Sequence, residues 1–101
     1  MAITIIVPIP SREDYESATE KMFGSKRPDA INVDGLIVHT AGEGPDGFCA
    51  VDVWESKAAF DAFFTTHVMP AMQELGVSME GAPEPTIIEL DNVIVNEAAR
   101  V

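Results

Sequence analysis

Two ionisable residues stand in apolar strands of this sequence, where their side chains are suited to proton transfer. His39 interrupts the apolar run 35–41, and Asp52 lies between Val51 and Val53. An imidazole exchanges protons near neutral pH, so His39 could act as a general base or bind a phenolic substrate. Asp52 would tune that base if the two met across a hairpin. The sequence equally allows a structural His39 bonded to a carbonyl or to a second copy of the chain, and an Asp52 at an interface or exposed edge.

Aromatic and polar residues elsewhere are candidates for substrate contacts. Trp54 and Phe63 could line a cavity for an aromatic ring, because the walls of binding pockets are usually apolar. His67 lies on the apolar stripe of a predicted helix and could face the pocket from the side opposite the sheet. Tyr15 on the first helix and Asn92 on the last strand could add polar contacts. An aromatic stripe at helical spacing is more often part of a core, so both interpretations stay open.

Composition excludes several classes of partner and cofactor. Six basic against seventeen acidic residues give a net charge of -11, which repels nucleic acids and anionic membranes. The two histidines would need a third ligand to hold a metal, so we predict no metal site. The lone Cys49 has no disulfide partner and is expected to be a small buried hydrophobe. Without a basic leader or an apolar run of ~20 residues, a cytoplasmic protein is expected.

Hydrophobic periodicity and turn residues divide the chain into six elements. The predicted strands cover residues 2–7, 35–41, 48–54 and 86–95, and the predicted helices cover residues 12–23 and 57–75. This β-α-β-β-α-β order is typical of the ferredoxin-like α+β fold, in which both helices cover one face of a four-stranded antiparallel sheet. We therefore expect one domain over residues 1–95 and a short tail over residues 96–101.

Local signals place the ends of the helices. Ser11 and Ser56 have the chemistry of N-caps, and Gly24 is a natural C-terminal stop. Pro70 lies inside the second helix, where it removes the donor for the Thr66 carbonyl. The second helix is therefore expected to kink or split near residue 68.

The second face of the sheet is predicted to be apolar as well. Strict alternation of apolar and polar residues is missing from several strands, in which apolar residues point both ways. On this interpretation Ile3, Ile5 and Val7 face opposite to Ile6, Leu36 and Val38 face opposite to Ile37, and Ile87 faces opposite to Ile88. Because so short a chain cannot cover both faces itself, we predict a homodimer packed sheet to sheet.

Several stretches carry a resemblance to a known family. They are Gly35-Leu36-Ile37-Val38-His39-Thr40-Ala41-Gly42, Gly47-Phe48, Val51-Asp52-Val53-Trp54-Glu55-Ser56, Phe60-Asp61-Ala62-Phe63, Pro70 and Gly76. Together they resemble the small stand-alone proteins of the dimeric α/β-barrel superfamily related to antibiotic biosynthesis monooxygenases. The resemblance runs from Met1 to about Val95, with Asp91-Asn92-Val93 similar to the closing strand. It implies a dimer whose sheets form a barrel, and a ligand pocket in each subunit.

The resemblance also implies an activity. It is that of a cofactor-independent monooxygenase acting on a small aromatic or enolic compound, with His39 removing the proton. Haem-degrading members have an iron-ligand histidine near the position of Gln73, so haem degradation is not expected. The alternative is a non-catalytic dimeric module that binds a small apolar molecule or is filled by its own aromatics. An open cavity reached by His39, with a perturbed pKa of its imidazole, would favour the enzyme, whereas a cleft filled by Phe60, Phe63 and Trp54 would favour the module.

Overall fold

The computed structural model describes residues 1–78 and 80–97. Its strands and helices follow the predicted order, except that the second helical region is divided into three parts. In chain order they are β1 (Ile3–Pro8), α1 (Arg12–Phe23), β2 (Leu36–Gly44), β3 (Gly47–Trp54), α2 (Lys57–Phe63), a π-helical segment (Phe64–Val68), α3 (Met69–Glu74) and β4 (Thr86–Glu89). The strands form one antiparallel sheet in the order β2-β3-β1-β4. This is the predicted ferredoxin-like α+β fold.

The predicted helix caps are confirmed. The Ser11 hydroxyl accepts a hydrogen bond from the Asp14 amide at 3.1 Å. The Ser56 hydroxyl accepts one from the Ala59 amide at 3.1 Å. Gly24 ends α1 in the left-handed region, with φ of 80°. Each cap satisfies a backbone group that the helix itself leaves unpaired.

A tight turn between Gly44 and Gly47 sets the register of the β2–β3 hairpin. These two residues pair directly, and pairing proceeds outward so that His39 lies opposite Asp52. Near the start of β2 a bulge interrupts the ladder between Leu36 and Val38. The prediction that these two side chains share a face is therefore wrong: the extra residue of the bulge reverses the alternation.

The core lies where α2 covers the centre of the sheet. Its buried members are Ile3, Ile5, Trp54 and Phe60, and Trp54 is only 1% exposed. The Trp54 ring meets the Phe60 ring edge-on at 5.6 Å between centroids. Trp54 therefore contributes mainly to packing. This agrees with the interpretation that the aromatic residues belong to the core.

Pro70 has the predicted effect on the second helix. The Met69 amide donates to the carbonyl of Phe64, five residues earlier, so this turn is a π-helix. Proline has no N–H and its ring crowds the carbonyl four residues before it, which explains why the α-helical pattern fails just ahead of Pro70. The α-helical pattern is thus interrupted near the predicted residue 68, by a π-helical turn within a continuous helical run.

Two expectations for the rest of the chain are corrected. The last strand ends at Glu89 rather than at residue 95, and Ile94 is 85% exposed beyond it. This segment finds no neighbouring strand within the described chain, so its β-branched residues alone do not make it a strand. Cys49, expected to be buried, is half-buried and free. Of the predicted tail, residues 98–101 lie outside the described residues.

None of the helices in the described part of the chain has the length and apolar character needed to cross a membrane.

Candidate active site

His39 and Asp52 form a hydrogen-bonded pair on the helix-facing side of the sheet. Their strands place them directly opposite each other, and Nδ1 of His39 lies 2.6 Å from Oδ1 of Asp52. The Asp52 side chain is 9% exposed and that of His39 is 31% exposed. A buried carboxylate is stable only with donors to compensate for lost hydration. Asp52 therefore fixes His39 with Nδ1–H pointing inward and Nε2 pointing towards the helices.

The hydroxyl of Tyr15 is hydrogen-bonded to the other ring nitrogen of His39, Nε2. The hydroxyl oxygen lies 2.6 Å from Nε2 of His39, and the two rings stack with centroids 5.8 Å apart. Burial raises the pKa of Tyr15 above its ordinary value of 10.0, and the negative charge of Asp52 acts in the same direction. Tyr15 is therefore a neutral phenol at physiological pH, and with Nδ1–H directed at Asp52 its hydroxyl can donate a hydrogen bond to Nε2 of His39.

Trp54 closes the inner end of this network. Its indole N–H points at Oδ2 of Asp52 across 3.4 Å, a long hydrogen bond. Asp52 and Trp54 are two residues apart on β3, so their side chains share the helix-facing side. The network thus runs from the core to the cavity as Trp54, Asp52, His39 and Tyr15.

A cavity of about 1070 Å³ lies beside this network. Its wall is formed by α1, by β2 and β3, by side chains between Phe60 and Met72, and by the loops around residues 26–33, 77–78 and 80–83. Most of the wall is apolar, as is usual for pockets that bind small organic molecules. Tyr15, His39, Asp52, Trp54 and Phe63 all contribute to it. The structure therefore brings five of the seven predicted site residues to one cavity.

The remaining two predicted residues lie elsewhere. His67 is exposed in the π-helical segment, where its ring lies 5.4 Å from that of Phe63. Asn92 is exposed beyond the end of β4. Neither belongs to the cavity wall. In a π-helix each residue advances by a smaller angle than in an α-helix, which turns His67 away from the predicted stripe.

The aromatic residues fill only one part of the cleft. The Phe63 ring packs on Trp54 at 5.5 Å and on Phe23 at 6.4 Å, measured between centroids. The cavity wall includes Tyr15 and His39 as well as Phe60 and Phe63. The structure therefore shows both a cavity whose wall includes His39 and a cluster of packed aromatic rings beside it.

Two residues of the cavity wall, Phe48 and Arg12, were not predicted from the sequence. Phe48 is buried and its ring lies 5.3 Å from that of Tyr15. The guanidinium of Arg12 lies 5.4 Å above the Phe48 ring, in cation–π geometry. Alternation along β3 could have placed Phe48 on the face of Asp52, since they are four residues apart. Nothing in the sequence places Arg12 above it.

The charged residues of the wall carry both signs. They are Arg12, Lys26 and Arg27, and Glu16, Asp29, Asp46, Asp52 and Glu80. Arg27 is paired with Glu16 at 3.5 Å. Within residues 1–78 and 80–97, no group of three or more His, Cys, Asp or Glu side chains is placed to hold a metal ion. Because positive and negative side chains are mixed in the wall, its charges do not favour a highly charged ligand of either sign.

Neither a protein-family model nor a curated protein matches this sequence. Among solved structures, a conserved protein from Methanosarcina mazei is similar, with 11% identity, coverage of 87% of this chain and 91% of that chain, and a TM-score of 0.58. SnoaB, a cofactor-independent oxygenase from Streptomyces nogalater, has 16% identity, coverage of 94% and 98%, and a TM-score of 0.54. Rv0793 from Mycobacterium tuberculosis has 18% identity, coverage of 98% and 100%, and a TM-score of 0.53.

These similarities extend over almost the whole of each chain. At such identities they establish the fold, which is the ferredoxin-like α+β fold found in antibiotic biosynthesis monooxygenase-like proteins. The fold expected from the sequence is thereby confirmed. Because one fold supports many activities, a function has to be argued from the residues of the cavity.

Proposed function

We propose that this protein is a cofactor-independent monooxygenase that oxidises a small aromatic or enolic compound in the cavity beneath α1. The observation that carries the proposal is the His39–Asp52 pair at 2.6 Å, placed in the wall of a mostly apolar cavity. A carboxylate bonded to Nδ1 orients the imidazole and stabilises its positive charge after proton transfer. The pair is therefore suited to remove a proton from a weakly acidic substrate.

The chemistry requires no external reductant. Loss of a proton from an activated CH₂ group, or from the hydroxyl of a phenol or hydroquinone, leaves a resonance-stabilised anion, and a carbon of this anion that bears hydrogen transfers electrons to O₂ and forms a C–O bond. The resulting peroxide anion takes up a proton, and the hydroperoxide so formed loses water, leaving a carbonyl group. One oxygen atom enters the product and the other leaves as water, while the carbon supplies all four electrons. An apolar cavity supports this sequence because it limits competing protonation by water.

The substrate class follows from the wall. Apolar and aromatic side chains favour a planar ring, and charges of both signs disfavour a polyanion. SnoaB, the oxygenase of the same fold, supports an oxygen-dependent reaction but does not name a substrate for this chain. We infer a neutral phenol, hydroquinone or anthrone-type ketone.

The direct test is oxygen uptake by the purified protein with a panel of phenols, hydroquinones and anthrones. We expect uptake of one O₂ per carbonyl formed, with no hydrogen peroxide released. Binding can be followed separately through the fluorescence of Trp54, the only tryptophan. A panel member that binds in the cavity while oxygen uptake stays at the level of buffer would instead support the non-catalytic binding module.

The proposal includes a homodimer formed by the sheet face that the helices leave uncovered. Register places Val38, Val53, Thr4 and Ile88 in one row across all the strands of this face. Val38 and Ile88 are each 47% exposed in the single chain. Exposed apolar patches of this kind are typical of contacts between subunits, and a second copy offers a self-complementary surface.

Sedimentation equilibrium at micromolar concentration should therefore give the mass of a dimer. We expect Val38→Asp to shift the protein to a monomer, because it places a charge within the apolar row. Gln73→Asp, an exposed residue of α3, adds the same charge on the helix side and should leave the dimer intact. A wild-type monomer would contradict the proposed assembly.

A further inference from the structure

Both ring nitrogens of His39 are already occupied. Nδ1 is bonded to Asp52 and Nε2 to the hydroxyl of Tyr15, each at 2.6 Å. A general base must present a free lone pair to the proton that it removes. His39 has none in this arrangement. The hydroxyl oxygen of Tyr15, in contrast, can donate to Nε2 and still accept a hydrogen bond from a ligand in the cavity.

Tyr15 is held in place from several directions. Its ring lies against the rings of Phe48 and His39, with centroids at 5.3 and 5.8 Å. Its residue is anchored within α1, where Thr19 donates a hydrogen bond to the Tyr15 carbonyl at 2.7 Å. The contact between Tyr15 and His39 is therefore a fixed part of the wall. A substrate that displaced the hydroxyl would have to break it.

We propose that Tyr15 meets the acidic proton of the substrate and passes its own hydroxyl proton to His39. This inference rests on the proposed function, but it assigns the contact with substrate to the hydroxyl oxygen of Tyr15 instead of Nε2 of His39. The X–H bond of the substrate breaks as a new O–H bond forms on Tyr15, and the former Tyr15 proton bonds to Nε2. The electron pair stays on the substrate. Tyr15 ends neutral, and the new imidazolium faces the carboxylate of Asp52.

The surroundings of Tyr15 favour this exchange over a standing tyrosinate. Burial raises the pKa of Tyr15, the Thr19 hydroxyl lowers it, the charge of Asp52 raises it, and the charge of Arg27 lowers it. The net effect is a phenol that keeps its proton at neutral pH. Moving both protons together leaves no charge on the phenol oxygen. The positive charge appears on His39, where Asp52 stabilises it.

Tyr15→Phe tests the relay, since it keeps the ring and removes only the hydroxyl. With the relay, we expect kcat for oxygen uptake to fall by about 100-fold or more. If His39 instead meets the substrate directly, the variant frees Nε2, and the rate should stay the same or rise. That result would overturn the inference while leaving the proposed function intact. If the wild type shows no oxygen uptake with any compound of the panel, that result would count against the proposed function itself.

A second measurement does not depend on activity. Tyr15 is the only tyrosine, so the ultraviolet absorbance of phenolate reports on it alone. We expect a titration midpoint above 10.0 in the wild type. His39→Ala removes the acceptor that favours the neutral phenol and should lower the midpoint, with Asp52 and Arg27 still present. An unchanged midpoint would show that the two groups are not coupled and would overturn the relay.

The titration needs a check on folding. Because folding raises the pKa of Tyr15, its contribution to stability is complete below pH 10.0 and is lost as pH rises through the folded-state value. Trp54 fluorescence recorded at each pH separates ionisation from unfolding, since Trp54 is buried in the folded chain. The midpoint is read only where that signal remains native.

Discussion

Replacing His39 by Ala is expected to lower kcat/KM for oxygen uptake by about 100- to 10,000-fold, the range typical of a lost general base. The variant loses the proton acceptor of the cavity, so no group remains to receive the hydroxyl proton of Tyr15. It also leaves Asp52 buried with only the long contact to the indole of Trp54. Substrate binding should change much less than kcat, because the apolar wall remains.

The control for this variant is His67→Ala. The chain has two histidines, so the substitutions remove the same group from a cavity position and from an exposed one. We expect His67→Ala to keep activity within about twofold, as is usual for surface changes. Imidazole added to His39→Ala should restore part of the rate through the open cavity. Similar losses in both variants would contradict the proposed role of His39.

The His39–Asp52 pair was only partly predictable from the sequence. Alternation along β3 places Asp52 and Trp54 on one face, as observed. Which residue of β2 lies opposite depends on where the hairpin closes. The Gly- and Pro-rich run 42–47 allows several closures, and only pairing of Gly44 with Gly47 brings His39 opposite Asp52. A shift of one residue would have turned His39 to the other face.

Tyr15 illustrates a contact that local patterns do not specify. Helical spacing predicts α1 and its caps correctly, but it carries no information on where α1 lies over the sheet. That placement depends on the loop between Gly24 and Gly35 and on packing against α3. Sequence reasoning could therefore name Tyr15 as a polar candidate, but it could not place its hydroxyl on His39.

Departures from regular backbone account for two of the errors. A bulge in β2 reverses the predicted alternation of Leu36 and Val38. A π-helical turn before Pro70 moves His67 out of the apolar stripe. Each inserts about one residue into a repeating pattern, and everything that follows is rotated. Patterns based on ideal repeats hold only up to such a point.

Gly35→Ala is expected to destabilise the fold by about 2–5 kcal/mol. Gly35 has φ of +82°, and a Cβ added there would lie 2.5 Å from the Cβ of Ala59. The substitution therefore combines left-handed backbone strain with a clash between the start of β2 and α2. The Gly35 carbonyl also accepts a hydrogen bond from the Glu55 amide at 2.7 Å, so the strand cannot easily move away.

Gly24→Ala separates the two contributions. Gly24 has nearly the same φ, +80°, but an added Cβ would meet nothing within 4 Å. We expect it to cost about 1–2 kcal/mol, from backbone strain alone. Urea unfolding followed by Trp54 fluorescence measures both variants. Equal losses of stability would mean that α2 moves to make room for the methyl group. A larger loss for Gly35→Ala would mean that close packing of α2 fixes the start of β2, the strand that carries His39.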